Sequence, residues 1–113
     1  MRLAEIVEKL GLRVKTGADH LNTDVTRGYA SDMLSDVMGH ADEGALWITL
    51  QSHQNIVAVA VMKSLAGVIL VGGREPDEET IAKAESEGIP ILITDRGAFG
   101  LVGRLYELGI GGA

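Results

Sequence analysis

The feature that most constrains this chain is a regular alternation of strand-like and helix-like segments through its second half. Residues 45–50 are almost entirely apolar, which is typical of a strand buried on both faces of a sheet. Shorter apolar segments recur at residues 68–71 and 91–94. A helical pattern follows each of them, at residues 55–65, 76–87 and 98–108. The alternation predicts an α/β fold in three layers, with a mostly parallel sheet of four to five strands flanked by helices.

Two helices and two extended segments are predicted before residue 45. Residues 2–10 place apolar side chains at helical spacing, and Gly11 is a natural stop. Residues 12–15 and 25–30 have the character of extended strands. Ser31 is predicted to cap a second helix. The apolar face of that helix would consist of Met33, Leu34, Val37, Met38 and Ala41.

Length and composition fit one small domain. The chain has 113 residues, of which 46% are hydrophobic, so it can bury a core of its own. We expect residues 1–110 to form a single domain and residues 111–113 to be a frayed tail. The sequence has no cysteine, which excludes a disulfide framework, a thiolate nucleophile and a cysteine-ligated zinc site.

Charge and hydropathy narrow the range of partners. The net charge is −6 and the basic residues are scattered, which disfavours a nucleic-acid partner. Lys63 and Ser64 interrupt the most apolar stretch, residues 56–73, which argues against a membrane span. Glu5 and Glu8 within the first ten residues argue against a signal peptide. We therefore expect a cytoplasmic protein with no membrane partner.

No motif in the chain carries recognisable catalytic or cofactor chemistry. A phosphate-binding loop is absent, and the spacing of Gly97, Gly100 and Gly103 does not fit a dinucleotide-binding fingerprint. We interpret these glycines as one side of a helix that permits close packing against a neighbour. No nucleophile motif is present either. We expect no catalytic residue and no cofactor.

Asp32, Asp36 and His40 are spaced to lie on one face of the second helix, where they could hold a divalent metal. A solvated face with an ordinary Asp36–His40 pair is the simpler interpretation, because metal sites usually need ligands that converge from other segments. We therefore expect no metal site.

The carboxyl ends of the predicted parallel strands are the best place for a ligand, because open α/β sheets form binding crevices there. Polar residues follow the first buried strand and lead into a helix: Gln51, Ser52, His53 and Asn55. Helix N-termini attract anions through their free N–H groups. If the domain binds a small anion, we predict that it binds there, with Arg74 or Arg96 as a counter-charge. The alternative is that Ser52 or Asn55 simply caps its own helix.

The helix predicted at residues 55–65 is apolar around its whole circumference from Ile56 to Met62. Such a helix must be buried on more than one side. The sheet covers one side, and burial of the other side between two copies predicts a homodimer with twofold symmetry. Two alternatives remain: the segment is partly a strand, or the first helix covers it through Leu3 and Val7.

Segments spread over most of the chain carry a resemblance to a known family. They are residues 24–38, 46–51, 55–60, 68–70 and 88–92. Together they resemble the DRTGG domain. In the motif that gives the family its name, Asp24, Thr26 and Gly28 fit, and Arg27 stands where a glycine is common.

The resemblance implies an α/β fold similar to the N-terminal domain of HPr kinase/phosphorylase and, more distantly, to that of Mur ligases. It also implies an accessory role, because such domains occur beside CBS pairs in regulated pyrophosphatases and beside phosphotransacetylase. The family has no agreed catalytic residues, so none is carried over. The resemblance favours a stand-alone, non-catalytic module that regulates or binds another protein. The alternative is a sensor that binds a nucleotide or phosphorylated metabolite at the strand ends.

Overall fold

The computed structural model describes residues 1–112. In chain order its main elements are α1 (Leu3–Leu10), β1 (Arg13–Thr16), β2 (Arg27–Ala30), α2 (Leu34–His40), β3 (Ala45–Thr49), α3 (Asn55–Met62), β4 (Gly67–Leu70), α4 (Glu78–Glu87), β5 (Ile91–Ile93) and α5 (Ala98–Glu107). A short 3-10 helix, Ala18–His20, lies between β1 and β2. Within residues 1–112 no helix has the length and apolar character that crossing a membrane requires.

The strands form one sheet in the order β1–β5–β4–β3–β2. Strands β2 to β5 are parallel, each paired with the next in the chain, and β1 is an antiparallel edge strand beside β5. Because the parallel strands are added in one direction, right-handed crossovers place α2, α3 and α4 on the same face. Helices α1 and α5 cover the other face. The expectation of a three-layer α/β fold with a mostly parallel sheet is confirmed.

Each face of the sheet has its own hydrophobic core. On the three-helix face, Val37 of α2, Ile56 of α3 and Ala84 of α4 share a core with Trp47 and Val68. The core of the two-helix face combines α1, α5 and alternate strand residues: Leu3, Ile6, Leu101, Leu105, Leu46, Ile48 and Ile69. Successive residues of a strand point to opposite faces, so the fully buried strand β3 serves both cores.

Helix α3 is the middle helix of the three-helix face, flanked by α2 and α4. Its buried residues are Ile56, Val57, Val59 and Ala60. Both alternatives for this segment are wrong: it is helical, and α1 with Leu3 lies on the opposite face of the sheet. The inner side of α3 is therefore covered within the chain, and Ala58, Val61 and Met62 remain exposed on its outer side.

Helix α3 is shorter than predicted because the chain turns sharply after Met62. Ser64 has a positive φ of 52°. The amide of Leu65 donates to the carbonyl of Ala60 at 2.9 Å. This turn buries Leu65 in the core of the three-helix face, and Gly67 begins β4.

Helix α2 begins later than predicted. Met33 occupies its N-cap position, and the hydroxyl oxygen of Ser31 accepts a hydrogen bond from the Met33 amide at 3.2 Å. Met33 is 64% exposed, so it does not join the apolar face, on which Val37 and Ala41 are buried. The reason is that the backbone is still extended at Met33, and helical geometry starts only at Leu34.

The C-terminal residues run beside the free edge of β2. The Gly28 amide donates to the Gly111 carbonyl at 2.9 Å, and the Gly112 amide donates to the Tyr106 hydroxyl at 3.0 Å. These bonds attach residues 111 and 112 to the rest of the fold. Ala113 lies outside the described residues. The division into a domain of residues 1–110 and a frayed tail of residues 111–113 stays a prediction.

Candidate functional site

The carboxyl ends of β2, β3, β4 and β5 lie at one edge of the sheet because these strands are parallel. The loop after β3 carries the predicted ligand residues Gln51, Ser52, His53 and Asn55. Arg74 follows β4, and Arg96 follows β5. The fold therefore brings these six residues to the same edge of the sheet, in three neighbouring loops.

Asp32, in the loop after β2, anchors the loop after β3. One carboxylate oxygen, Oδ1, accepts hydrogen bonds from the Thr49 hydroxyl and the Leu50 amide, both at 2.8 Å. The side-chain amide of Gln51 donates to the Asp32 carbonyl, also at 2.8 Å. The loop after β3 has no acidic residue of its own, but these bonds hold the Asp32 carboxylate, from the loop after β2, against it.

Ser52 and His53 are tied to neighbouring backbone and side chains. The Thr80 hydroxyl donates to the Ser52 carbonyl at 2.7 Å. The ring nitrogen Nδ1 of His53 accepts a hydrogen bond from the Asn55 amide at 3.2 Å. Gln54 occupies the N-cap position of α3 and makes no side-chain capping bond. The alternative in which Ser52 or Asn55 caps its own helix is therefore wrong.

Two carboxylates border the loop after β3. Asp32 lies on the β2 side, and on the α4 side the Ser52 hydroxyl donates to Asp77 Oδ1 at 3.4 Å. Negative charge on both sides weakens the attraction that the N-terminus of α3 offers to an anion.

The two arginines proposed as counter-charges are placed differently. Arg96 donates from Nη1 to the Leu10 carbonyl at 2.8 Å, which ties it to the carboxyl end of α1 on the two-helix face. Arg74 is exposed in the loop after β4. An anion at residues 51–55 would therefore depend on Arg74, and its binding stays a prediction.

The loops after β4 and β5 leave toward opposite faces, since α4 and α5 lie on opposite faces. Diverging loops of this kind form the usual ligand crevice of an open α/β sheet. Two backbone hydrogen bonds close it in this protein. The Gly72 amide donates to the Arg96 carbonyl at 2.7 Å, and the Gly73 amide donates to the Thr94 carbonyl at 2.9 Å. Both glycines have positive φ, of 66° and 72°, a conformation that favours glycine.

Two clefts open instead between α5 and the strands β2 and β3. The larger cleft, of about 220 Å³, lies beside Gly28, Val102 and Tyr106. The smaller cleft, of about 190 Å³, lies at the carboxyl ends of β2 and β3, and Asp32 is part of its wall. Ala30 and Ile48 line both, so the clefts adjoin.

The sequence analysis did not predict these clefts. The signal for them is a pair of small residues, Gly28 and Ala30, on an edge strand that a helix covers.

The outer side of α5 exposes two aromatic side chains, and an exposed Arg104–Glu107 ion pair lies on the same helix. Phe99 is 96% exposed and Tyr106 is 59% exposed, whereas Leu101 and Leu105 face the sheet. We define the α5 stripe as three residues, each about one turn from the next along the helix: Phe99, half-buried Val102 and Tyr106. Val102 and Tyr106 also line the larger cleft. Helical spacing in residues 98–108 predicts an inward face of Phe99, Val102, Leu105 and Tyr106. For Phe99 and Tyr106 this is wrong, because α5 packs on the sheet through Leu101 and Leu105.

The space beside Gly97, Gly100 and Gly103 is open among residues 1–112. A Cβ atom added at any of them would meet no described atom within 4 Å. The interpretation of these glycines as a close-packing side is therefore wrong within this chain, since α5 packs on the sheet through other residues.

Tyr29, Asp36 and His40 form a hydrogen-bonded group on the three-helix face. The Tyr29 hydroxyl donates to Asp36 Oδ2 at 2.9 Å, and His40 Nδ1 lies 3.1 Å from Asp36 Oδ1. The Tyr29 hydrogen bond is the main cause that lowers the pKa of Asp36, and the same bond raises the pKa of Tyr29. Asp32 precedes the helix and bonds to Thr49 instead. Within residues 1–112 no group of three or more acids or histidines is placed to hold a metal.

Comparison with solved structures identifies a similar fold. One similar structure is the crystal structure of the CBS and DRTGG domains of the regulatory region of Clostridium perfringens pyrophosphatase, complexed with the activator diadenosine tetraphosphate. The TM-score is 0.75 at 18% sequence identity. The similarity covers 97% of this chain and 47% of that chain, so this chain spans about half its length.

Comparison at the sequence level gives the family. No curated protein matches the chain. The family model described as the DRTGG domain matches residues 5–108. This range contains all five strands and every helix, apart from the first two residues of α1. This match confirms the resemblance noted in the sequence. The chain belongs to the DRTGG domain family.

Proposed function

We propose that this chain is a non-catalytic regulatory module that acts by association between protein surfaces. Family membership and the likeness to part of a regulatory region support the regulatory role. The observation that carries the association is the α5 stripe, where Phe99 is 96% exposed. The walls of the two clefts, which are mostly glycine, alanine and aliphatic side chains, support binding without chemistry. The cytoplasmic location stays a prediction from the sequence.

The α5 stripe fits a second copy of the same chain. On each molecule an exposed aromatic ring stands on the helix that borders an open cleft of about 220 Å³. In a twofold dimer, Phe99 of each copy can lie against the cleft of the other copy, so the same contact forms twice. Aromatic anchors that fill pockets dominate the energetics of interfaces. We infer a homodimer through α5, in place of the contact through α3 that the sequence predicted.

Sedimentation equilibrium at micromolar concentration tests this proposal. The wild-type chain should sediment at twice its mass of 11.9 kDa. Phe99→Asp should weaken the dimer by about thirtyfold or more, because loss of an interface anchor costs about 2 kcal/mol or more. Met62→Asp is the matched control, since Met62 is an exposed apolar side chain at the end of α3.

The α5 dimer would be wrong if the Met62 variant became monomeric while the Phe99 variant stayed dimeric. A monomeric wild-type protein would contradict self-association altogether. The α5 stripe would then have to serve a different protein.

A second candidate function is small-molecule sensing, and the two clefts favour it. A ligand at a hundred times its Kd adds about 2.7 kcal/mol of stability, so thermal unfolding detects it. ATP and inorganic phosphate are the probes for the anion predicted at residues 51–55. A rise in Tm that Arg74→Ala abolishes, with Lys63→Ala as the matched control, would support that site. No rise with either probe would argue against it.

A further inference from the structure

The smaller cleft contains a carboxylate whose position is set by the fold. Asp32 Oδ1 accepts the Thr49 hydroxyl and the Leu50 amide, both at 2.8 Å. The other oxygen, Oδ2, makes no hydrogen bond with the part of the chain that the structure describes. Two donors thus hold the side chain in place at the wall of a cleft of about 190 Å³. A side chain fixed in this way is preorganised to receive one further donor.

The rest of the smaller cleft is compatible with a cation and an alkyl group. Ile48, Val71 and Ala98 supply apolar wall, and the described lining includes no lysine, arginine or histidine. The nearby Arg96 is tied to the Leu10 carbonyl, and the whole chain carries a net charge of −6. Asp32 is exposed, so water screens part of its charge, and the apolar wall beside it strengthens a charge-assisted hydrogen bond relative to open water.

We propose that the smaller cleft binds a protonated primary amine. Its ammonium group donates to Asp32 Oδ2, and its aliphatic stem lies along Ile48, Val71 and Ala98. A guanidinium or a vicinal diol is a poorer match, because each is best received by both oxygens of a carboxylate, and Oδ1 already accepts two bonds. An ammonium is a compact charge that one oxygen can receive. The proposal is independent of the α5 dimer.

The site is tested by adding n-butylammonium chloride to the protein and monitoring the chemical shifts of its backbone amides by NMR. Saturable shifts are expected at the amides of Leu50 and Gln51. Two probes of similar size, n-butanol and sodium butyrate, separate the role of the charge. Both should bind at least about threefold more weakly, since neither can form the charged hydrogen bond with the exposed Asp32 carboxylate.

Asp32→Asn is the sharpest variant, because asparagine keeps an oxygen for Thr49 and Leu50 and removes the charge. It should weaken n-butylammonium binding by about threefold or more. Asp77→Asn, at the neighbouring carboxylate, is the matched control and should leave binding unchanged.

Equal binding of n-butanol would mean that the cleft is only apolar, and equal binding by the Asp32 variant would mean that the carboxylate plays no part. Shifts confined to residues 77–79 would indicate counter-ions at an acidic surface. Each of these outcomes, like the absence of saturable shifts, overturns the proposal. If the Asp32 variant does not fold, the comparison of the three probes on the wild-type chain decides alone.

Discussion

Helices α3 and α5 lie on opposite faces of one sheet, and their sequences give the wrong impression of which is exposed. Helix α3 is apolar all round, yet four of its eight residues are buried and its flanks are covered by α2 and α4. Helix α5 contains glycines and an arginine, yet it exposes a phenylalanine. Among the helices of residues 1–112, it shares its face of the sheet with α1 alone. The number of neighbours that the topology gives a helix decides its exposure.

The largest expected effect comes from truncating the buried side of each helix. Ile56→Ala in α3 and Leu101→Ala in α5 should each lower the free energy of unfolding by about 2–5 kcal/mol, because both side chains are fully buried. Urea denaturation of each variant measures this. Burial, and not the overall apolarity of the helix, sets the cost.

Exposed apolar residues of the same helices are the matched controls. Met62→Ala and Phe99→Ala should change the free energy of unfolding by no more than about 0.5 kcal/mol, measured at concentrations where the chain is monomeric. A cost of several kcal/mol for Phe99→Ala in the monomer would contradict the placement of this ring on the outer side of α5.

Glycines on the two faces should respond to alanine with opposite sign. Gly88, which ends α4, has φ of 68°, and an added Cβ would lie 2.9 Å from His20 Nε2. Gly88→Ala should therefore destabilise by about 1–2 kcal/mol. In α5 an added Cβ at Gly100 meets no described atom within 4 Å, so Gly100→Ala should stabilise the helix by about 0.5–1 kcal/mol.

Thermal unfolding of both glycine variants distinguishes these outcomes. Loss of stability in Gly100→Ala would show that this side of α5 is packed after all. It would restore the interpretation of the glycines as a close-packing side.

The smallest expected effect is a change in how the free energy of unfolding depends on pH in the acidic range. The pKa of Asp36 is lowered in the folded protein, mainly by the Tyr29 hydroxyl, so the unfolded chain binds more protons in acid. The stabilisation is complete above the pKa of the unfolded carboxyl and is lost as pH falls through the lowered value. Tyr29→Phe should therefore be less stable than the wild type at neutral pH, and the difference should shrink below about pH 4.

Tyr106→Phe on α5 is the control for this pH dependence. The Tyr106 hydroxyl accepts the Gly112 amide and meets no carboxylate in the bonds described, so its loss should have the same effect at every acidic pH. Stability curves from pH 2 to 7 for both variants make the comparison. Parallel curves for Tyr29→Phe and the wild type would show that the bond to Asp36 contributes nothing.

The sequence alone determined the order of the elements and the three-layer architecture. Strand and helix periodicities are local, and Gly11 and Gly88 adopt the left-handed conformation that ends a helix. The candidate loop after β3 was also located from local signals, because parallel strands bring their carboxyl ends to one edge. The family was readable from the same segments.

Only the tertiary structure decided what surrounds that loop and which side of α5 faces solvent. Asp32 reaches Thr49 and Leu50, and Arg96 turns to α1, because elements far apart in the chain meet there. The apolar residues of α5 cover more of its circumference than one face, so periodicity could not choose between Leu101 and Phe99. Leu101 faces the sheet because of how α5 packs across β2 and β3. These strands are distant from α5 in the chain, so the sequence of the helix alone does not predict the contact.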